Sequence, residues 1–147
     1  MKNYEIIEIK DSNILEIQEI ANETSQDNYN FVQRTIDEWK NNTNKFSKIG
    51  EKLWGIIIDN KIIGIGGLNK DPFIEDEKVG KVRHIYISKQ YRGFGLSKIL
   101  LNLIIEKAKE NFTTLRLSTN NPIASSVYES LGFKKVEGIK VTHQKDL

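Results

Sequence analysis

The amino-acid sequence predicts a mixed α/β fold in which one β-sheet carries helices on both faces. Runs rich in β-branched residues alternate along the chain with stretches in which apolar residues recur every three or four positions. The 147 residues are enough for one domain with a sizeable core, and no repeat, low-complexity tract or linker interrupts them. We therefore expect residues 1–147 to form a single domain.

The composition excludes several kinds of chemistry. Cysteine is absent and only two histidines are present, so we expect no disulfide, no cysteine nucleophile and no metal. The formal charge of +2 comes from 22 basic and 20 acidic side chains, a balance that does not indicate nucleic-acid binding. No apolar run approaches the ~20 residues that span a bilayer, and the N-terminal residues lack the apolar region of a signal peptide. A cytoplasmic protein that binds no membrane is therefore expected.

The N-terminal third predicts one strand followed by two helices. The alternating segment NYEIIEIK, at residues 3–10, is typical of a strand. Ser12 is a candidate N-cap for the first helix, whose apolar face is predicted to hold Ile14, Ile17 and Ile20. The second helix is predicted within residues 28–42, with an apolar stripe of Phe31, Thr35, Ile36 and Trp39.

The middle of the chain predicts a hairpin, a loop and a further strand. Two apolar runs within residues 53–68 flank the three residues Asp59-Asn60-Lys61, which predicts a β-hairpin with its turn there. The segment at residues 69–80 is polar and acidic and predicts a loop, whereas KVRHIYIS, at residues 81–88, predicts a strand.

The C-terminal part predicts two more helices and three more strands, which completes the order β-α-α-β-β-β-α-β-α-β-β with about seven strands. A glycine-rich loop comes first. The elements that follow it are a helix from about Leu96 to Glu110, a strand at 114–119, a helix at 122–131 that stops at Gly132, and strands at 133–137 and 139–147.

The glycine-rich loop before the third helix predicts an anion site. Gly93 and Gly95 cost backbone entropy unless the chain bends sharply there or a ligand comes very close. A strand, a glycine turn and a helix start together form a cradle of N–H groups suited to phosphate, and Arg92 and Lys98 add positive charge. Lys98 opposes the helix dipole, so a bound anion would relieve that conflict. A third glycine and a Gly-Lys-Ser/Thr triplet are both missing, which disfavours the Rossmann and P-loop nucleotide folds. A plain tight turn is the alternative.

The segment NNPIASSVYESLGF, at residues 120–133, contains a second candidate group. Asn121 is predicted to cap the helix that starts at Pro122. Tyr128 lies on the same helical stripe as the apolar positions Ala124, Val127 and Leu131. One interpretation is a core tyrosine with a satisfied hydroxyl; the other is a phenol delivered to a cleft as a proton donor.

Together these two segments resemble motifs of the GNAT acetyltransferase superfamily. Gln90-x-x-Gly93-x-Gly95 is similar to the loop motif of that family. The second motif is matched by Asn121-x-x-Ala124-x-x-x-Tyr128-x-x-x-Gly132-Phe133. The predicted element order also resembles the family along nearly the whole chain, which implies the GNAT fold.

The resemblance implies acetyl-CoA as cosubstrate, in a gap between two splayed strands at residues 81–88 and 114–119. By matching position, strand backbone would pair with the pantetheine amides and loop N–H groups would hold the pyrophosphate. Asn121 would contact the pantetheine arm, and Tyr128 would lie near the sulfur as general acid. The implied binding residues are Ile85, Tyr86, Ile87, Gln90, Arg92, Gly93, Phe94, Gly95, Leu96, Ser97, Lys98, Asn121 and Tyr128.

The general base stays open at this point. Many relatives use a glutamate early in the fourth strand, and the matching position here is Lys81. Glu75, Glu77 and His84 are the candidates, acting directly or through water. Each also has a plain structural interpretation, the carboxylates as part of a solvated turn and His84 as a satisfied strand residue.

The resemblance implies a bacterial-type N-acetyltransferase that transfers an acetyl group directly to a primary amine of a small molecule or peptide. One alternative is a non-catalytic acyl-CoA-binding module on the same fold. A second is a nucleic-acid-linked acetyltransferase or RNA-binding domain, which the charge distribution does not support. A homodimer is compatible with the resemblance, and no motif identifies the acceptor amine.

Overall fold

The computed structural model describes residues 3–147 and confirms the predicted mixed α/β fold and its element order. A 3₁₀ turn at Ile14–Ile17 precedes the first helix, and another at Lys89–Tyr91 precedes the glycine loop. The helices are α1 (Gln18–Gln26), α2 (Phe31–Lys40), α3 (Leu96–Ala108) and α4 (Pro122–Ser130). The strands are β1 (Glu5–Glu8), β2 (Lys52–Ile58), β3 (Lys61–Lys70), β4 (Val79–Ile87), β5 (Thr114–Leu117), β6 (Lys134–Lys135) and β7 (His143–Asp146).

The strands form one seven-stranded sheet in the order β1-β2-β3-β4-β5-β7-β6. The β4–β5 pair is parallel, and the other neighbouring pairs are antiparallel. The hairpin predicted around residue 60 joins β2 to β3. Asp59 and Asn60 have φ values of 52° and 64°, the left-handed conformation that a two-residue hairpin turn requires. Lys61, predicted as a turn residue, is already the first residue of β3.

Helices cover both faces of the sheet, and each face has its own apolar core. On one face, the fully buried Leu100 and Ile104 of α3 pack with α4 and with alternate residues of the central strands. On the other face, α1 and α2 pack through Ile20, Ile36 and their neighbours. Within the described residues, no helix is long and apolar enough to cross a membrane.

Several predicted boundaries were wrong. Ser12 does not cap the first helix, because the carbonyl of Lys10 already accepts the N–H groups of Asn13 and Ile14 and coils the chain there. The α-helix begins only at Gln18. On α2, Val32 is fully buried, whereas Phe31 is half-buried beside the cleft described below. Residues 69–70 and 79–80 extend β3 and β4 into the predicted loop, and α3 ends two residues before the predicted Glu110.

Candidate active site

Strands β4 and β5 part in the middle of the sheet. They pair in parallel over three residues only, and the last pair is Lys81 with Arg116. Beyond that pair, β4 continues for six residues to Ile87 on the edge of β3, while β5 stays paired with β7. The backbone of residues 82–87 therefore has no partner in β5 among the described residues. An extended ligand can pair with this open backbone edge as an added strand would.

A β-bulge at His84 shapes this edge. His84 and Ile85 together oppose the single residue Gly66, and His84 has a φ of 61°, which non-glycine residues rarely adopt. The extra residue turns the side chain of His84 toward α2 while Ile85 packs in the core under α3. A bulge of this kind bends its strand, and here it lies where β4 and β5 diverge.

The glycine loop leads from the end of β4 into α3. Gly93 and Gly95 have φ values of 88° and 76°, and a Cβ placed on either glycine would meet no atom within 4 Å. Gly95 is the left-handed N-cap residue of α3. Among the described residues, no carbonyl or side chain accepts the N–H groups of residues 93–98. Unpaired backbone donors thus lie beside open space at the positive end of a helix dipole.

Arg92 ties this loop to the end of β4. Its Nε donates a hydrogen bond of 2.8 Å to the carbonyl of Ile87, and its guanidinium carbon lies 5.1 Å from the centroid of the Tyr86 ring. Its backbone N–H donates to the carbonyl of Lys89 at 3.3 Å, so the run of unpaired donors starts at Gly93. The predicted residues Gln90, Phe94 and Lys98 are exposed.

A cavity of about 1000 Å³ joins the parted strands, the glycine loop and the start of α4. It extends past α4 to the turn between α1 and α2, where Tyr29 and Phe31 line it. The cavity brings together most of the predicted site residues and leaves out Gln90, Phe94, Lys98, Glu75 and Glu77. The predicted residues that line it are His84, Ile85, Tyr86, Ile87, Arg92, Gly93, Gly95, Leu96, Ser97, Asn121 and Tyr128.

Tyr128 lines this cavity from α4 and is 8% exposed. The ring of Tyr128 contacts the ring of Phe133 edge to face, with 5.8 Å between the ring centroids. Among residues 3–147, no group forms a hydrogen bond with its hydroxyl, although a core tyrosine usually has such a partner. Burial raises the pKa of Tyr128 to about 12, so the phenol is protonated throughout the physiological range.

Asn121 caps α4 as the sequence predicts. Its side-chain oxygen accepts the backbone N–H groups of Ile123 at 2.9 Å and Ala124 at 3.3 Å. The cap fixes the start of α4 at the cavity wall, because the side-chain oxygen satisfies two of the helix's first N–H groups. Asn121 is exposed and itself lines the cavity.

The structure separates the three candidate bases. Glu75 and Glu77 lie on the exposed loop between β3 and β4, where Glu77 approaches Nζ of Lys70 at 3.7 Å. Neither carboxylate lines the cavity. His84 does line it, beside Phe31 of α2, and the two rings stack at 6.4 Å between centroids.

The hydrogen bonds of Thr35 determine the proton position on His84. Thr35 Oγ1 donates its one proton to the carbonyl of Phe31 at 2.8 Å, so it accepts from Nδ1–H of His84 at 3.1 Å. Nε2 then carries a lone pair, is inaccessible to solvent and has no partner among the described residues. Burial, with nearby Arg83, lowers the pKa of His84 to about 3, so the imidazole is a neutral and weak base at physiological pH.

Lys81, where many relatives have a glutamate, is buried with its ammonium already bound. Nζ donates to the carbonyl of Lys140 at 3.3 Å and lies 4.6 Å from the centroid of the Phe73 ring. Burial is the main cause that lowers the pKa of Lys81, and nearby Asp71 opposes this. The predicted base position therefore holds a cation.

Sequence reasoning missed Glu23 of α1, which binds the end of β4. Its carboxylate accepts hydrogen bonds from the hydroxyl of Tyr86, from the hydroxyl of Ser88 at 2.8 Å and from the N–H of Lys89 at 3.3 Å. Burial and the bond to Glu23 raise the pKa of Tyr86. These contacts fix the turn between β4 and the glycine loop against α1, and no local sequence pattern around Glu23 signals them.

A model of the acetyltransferase (GNAT) family matches residues 14–133. Because this match covers more than half of the chain, the chain belongs to the GNAT acetyltransferase family, as the two sequence motifs predict.

Curated relatives match a shorter stretch. N-acetylaspartate synthetase of Xenopus tropicalis is 31% identical over 90 residues, which are 59% of this chain and 32% of that protein. N-acetyltransferase 8B of Homo sapiens is 30% identical over 93 residues, which are 60% of this chain and 41% of that protein. The match thus spans about a third to two fifths of the length of these relatives.

Solved structures match along almost the whole chain. A protein from Exiguobacterium sp. 255-15, described as a candidate acetyltransferase, aligns with a TM-score of 0.87 at 25% identity, over 98% of this chain and 93% of that one. A GNAT-family acetyltransferase from Staphylococcus aureus Mu50 aligns with a TM-score of 0.77 at 20% identity, over 99% of both chains. The likeness at 20% identity shows the fold alone.

Proposed function

We propose that this chain, acting as a single domain, transfers an acetyl group from acetyl-CoA directly to a primary amine. The observation that carries the proposal is the continuity of one cavity with three features: the open backbone edge of β4, the glycine loop with unpaired N–H groups at Gly93 and at 95–97, and the buried phenol of Tyr128. Each feature matches one part of acetyl-CoA: an extended amide arm, a pyrophosphate and a thioester.

In this proposal, the backbone of Ile85, Tyr86 and Ile87 pairs with the two amides of the pantetheine arm. The six N–H groups from Gly93 to Lys98 hold the pyrophosphate, and Asn121 contacts the arm from the start of α4. Acetyl-CoA supplies an activated acyl carbon at the end of this arm. The chain's own residues bind and orient that carbon near Tyr128.

Attack by the amine forms a C–N bond and breaks the C–S bond of the thioester. The phenol of Tyr128 gives its proton to the departing sulfur, and the surplus proton of the amine returns to Tyr128 through water, which restores the phenol. A thiol has a pKa near 8.5 and leaves readily, so the acid contributes only part of the rate enhancement. An amine with a pKa of ~10.4 is neutral in only about one molecule in 2,500 at pH 7, so the larger task is the supply of neutral amine.

The chain addresses that task without a strong base. His84, with a pKa of about 3, is too weak to deprotonate an ammonium group efficiently. The cations Lys81 and Arg83 line the cavity and disfavour a third positive charge beside them. We therefore propose that the amine enters as the free base.

The names of two relatives support nitrogen as the acceptor atom. N-acetylaspartate synthetase and N-acetyltransferase 8B are both named for acetylation of nitrogen, and each matches about three fifths of this chain. The proposed acceptor is a primary amine of a small molecule or a peptide.

A panel of amines with acetyl-CoA, followed by thiol release and mass spectrometry of the products, tests the proposal. We expect amine-dependent release of CoA and an acetylated amine in equal amounts. Tight acetyl-CoA binding without CoA release for any amine would support a non-catalytic acyl-CoA-binding module instead.

A further inference from the structure

We propose that the acceptor amine also carries a carboxylate, and that the guanidinium of Arg83 binds this carboxylate. The inference rests on the function proposed above and names the substrate class for the acceptor end of the same cavity.

Arg83 lies on β4 immediately before the His84 bulge and lines the cavity. Its neighbour Val82 packs in the core under α3, so the Arg83 side chain belongs to the opposite face, toward α2. The residue is half-buried. Among residues 3–147, no carboxylate forms an ion pair with Arg83 and no group forms a hydrogen bond with its guanidinium.

The other arginines of the chain do not share this situation. Arg116, 8% exposed, forms an ion pair with Asp71 at 3.3 Å, and Arg92 donates to the carbonyl of Ile87. Arg34 on α2 is exposed to solvent. Guanidinium groups removed from water are normally paired with an anion, because desolvation without a partner is costly. Arg83 is thus a cation whose partner is absent from the described chain.

Neighbouring charges do not neutralise Arg83. Burial is the main cause that lowers its pKa, and repulsion from Arg34 adds to this. Glu38, Asp71 and Glu51 raise the pKa of Arg83, but each lies farther from it than an ion pair allows. Asp71 is already paired with Arg116, and Glu51 accepts the backbone N–H groups of Lys48 and Lys70.

A second cation faces the same part of the cavity. Lys81 lies two residues before Arg83 and so on the same face of β4, and it also lines the cavity. Two cations and a neutral imidazole at this end favour an anionic group on the ligand. A guanidinium binds a carboxylate through two parallel hydrogen bonds, which a neutral amide cannot match.

The phosphates of acetyl-CoA do not account for this site. The unpaired N–H groups that we assign to the pyrophosphate begin at Gly93, beyond the end of β4 at Ile87. Across the bulge, Arg83 pairs with Gly67 and Ile87 with Gly64, a separation of about 10 Å along a strand at ~3.3 Å per residue. The anion at Arg83 therefore belongs to the acceptor.

The test compares amino acids with their α-carboxamides, which differ only in the carboxylate. The probes are glycine, L-leucine, L-aspartate and L-lysine, each paired with its amide. Because an α-carboxamide makes the amine less basic, kcat/KM is expressed per free-base amine. Wild-type protein is compared with Arg83→Gln and Arg83→Lys, and with Lys107→Gln as a control for loss of an exposed charge at the far end of α3.

We expect kcat/KM for the acid to exceed that for its amide by about 10- to 100-fold in the best pair, as for a hydrogen-bonded charge pair. Arg83→Gln should abolish the preference, Arg83→Lys should retain part of it, and Lys107→Gln should leave it intact. The affinity for acetyl-CoA should be the same in all four proteins, which also verifies that each variant is folded.

Calorimetric titration of each acid and amide into the complex with CoA gives a readout that does not need turnover. The same preference for the acid, lost in Arg83→Gln, is expected there. Equal binding of acids and amides, or an equal loss for both in Arg83→Gln, would overturn the carboxylate site and leave acetyl transfer standing. Acid-selective binding without acetylation of any amine would overturn the proposed transferase function instead.

Discussion

At the scale of single residues, the hydroxyl of Tyr128 separates two interpretations that the sequence leaves open. A core tyrosine keeps its hydroxyl hydrogen-bonded within the protein, because an unpaired buried polar group is costly. Here the ring is buried against Phe133, yet no described residue bonds the hydroxyl, and the residue lines the cavity. This environment suits a group that donates a proton to a ligand.

Tyr128→Phe should therefore lower kcat for acetyl transfer by about 10- to 1,000-fold, since the lost interaction forms as the thiolate leaves. The free energy of unfolding should change by less than about 1 kcal/mol, because no protein hydrogen bond is removed. Both quantities are measured on the same preparation of each protein. The control is Tyr4→Phe, which changes an exposed tyrosine just before β1. A variant with unchanged kcat and a large loss of stability would identify Tyr128 as a core residue only.

The pH dependence of kcat/KM follows from two shifted pKa values. His84, lowered to about 3, is neutral at every pH above 5, so it contributes no inflection between pH 5 and 8. The pKa of Tyr128 is raised to about 12, so the phenol stays protonated. Its deprotonation therefore does not lower the rate until the pH approaches 12. The rate should climb in proportion to free amine up to the pKa of the amine.

The measurement is a profile of kcat/KM from pH 6 to 10 with one amine of known pKa. A plateau that begins near pH 6.5 would show a titrating base and contradict free-amine entry. His84→Asn serves as comparison, because asparagine tolerates the positive φ of this position. The pH profile of this variant should have the wild-type shape, even if the absolute value of kcat/KM differs.

At the scale of elements, the glycine loop and the first turn of α3 act as one unit. Gly95 has a φ of 76° at the N-cap of α3, and a Cβ there would point into open space rather than into protein. Two effects of a substitution can thus be separated: strain of the backbone and occupation of the space where we place the pyrophosphate.

Gly95→Ala should weaken acetyl-CoA binding by about tenfold or more, because it combines strain of ~1 kcal/mol with a methyl group in the cradle. Gly95→Asn relieves much of the strain, since asparagine adopts this conformation, but still fills the cradle. We expect calorimetry to show weak binding for both variants and circular dichroism to show an intact fold. Wild-type affinity in Gly95→Asn would mean that the loop is only a tight turn.

The elements that local signals determine were predicted well. The Asp59-Asn60 turn and the Asn121 cap before Pro122 each lie within a few consecutive residues, and the structure confirms them. Ser12 failed as a cap because the preceding turn depends on bonds to the Lys10 carbonyl, which residue preferences alone do not reveal.

At the scale of the whole molecule, the site arises from contacts between distant parts of the chain. The bulge at His84 requires the register with β3, and the parting of β4 and β5 requires the pairing of β5 with β7. Glu23 reaches the end of β4 from more than sixty positions earlier in the sequence. None of these contacts has a local pattern, so the sequence predicts the motifs of the site but not its acceptor end.

The central claim of this account is direct transfer of the acetyl group within one cavity. It is tested most directly by a single-turnover reaction with protein in excess over acetyl-labelled acetyl-CoA, quenched at intervals and analysed by intact-protein mass spectrometry. We predict that label passes from CoA to the amine at one common rate, needs the amine to leave CoA, and never resides on the protein. Label that accumulates on the protein, or CoA release that ignores the amine, would contradict the account.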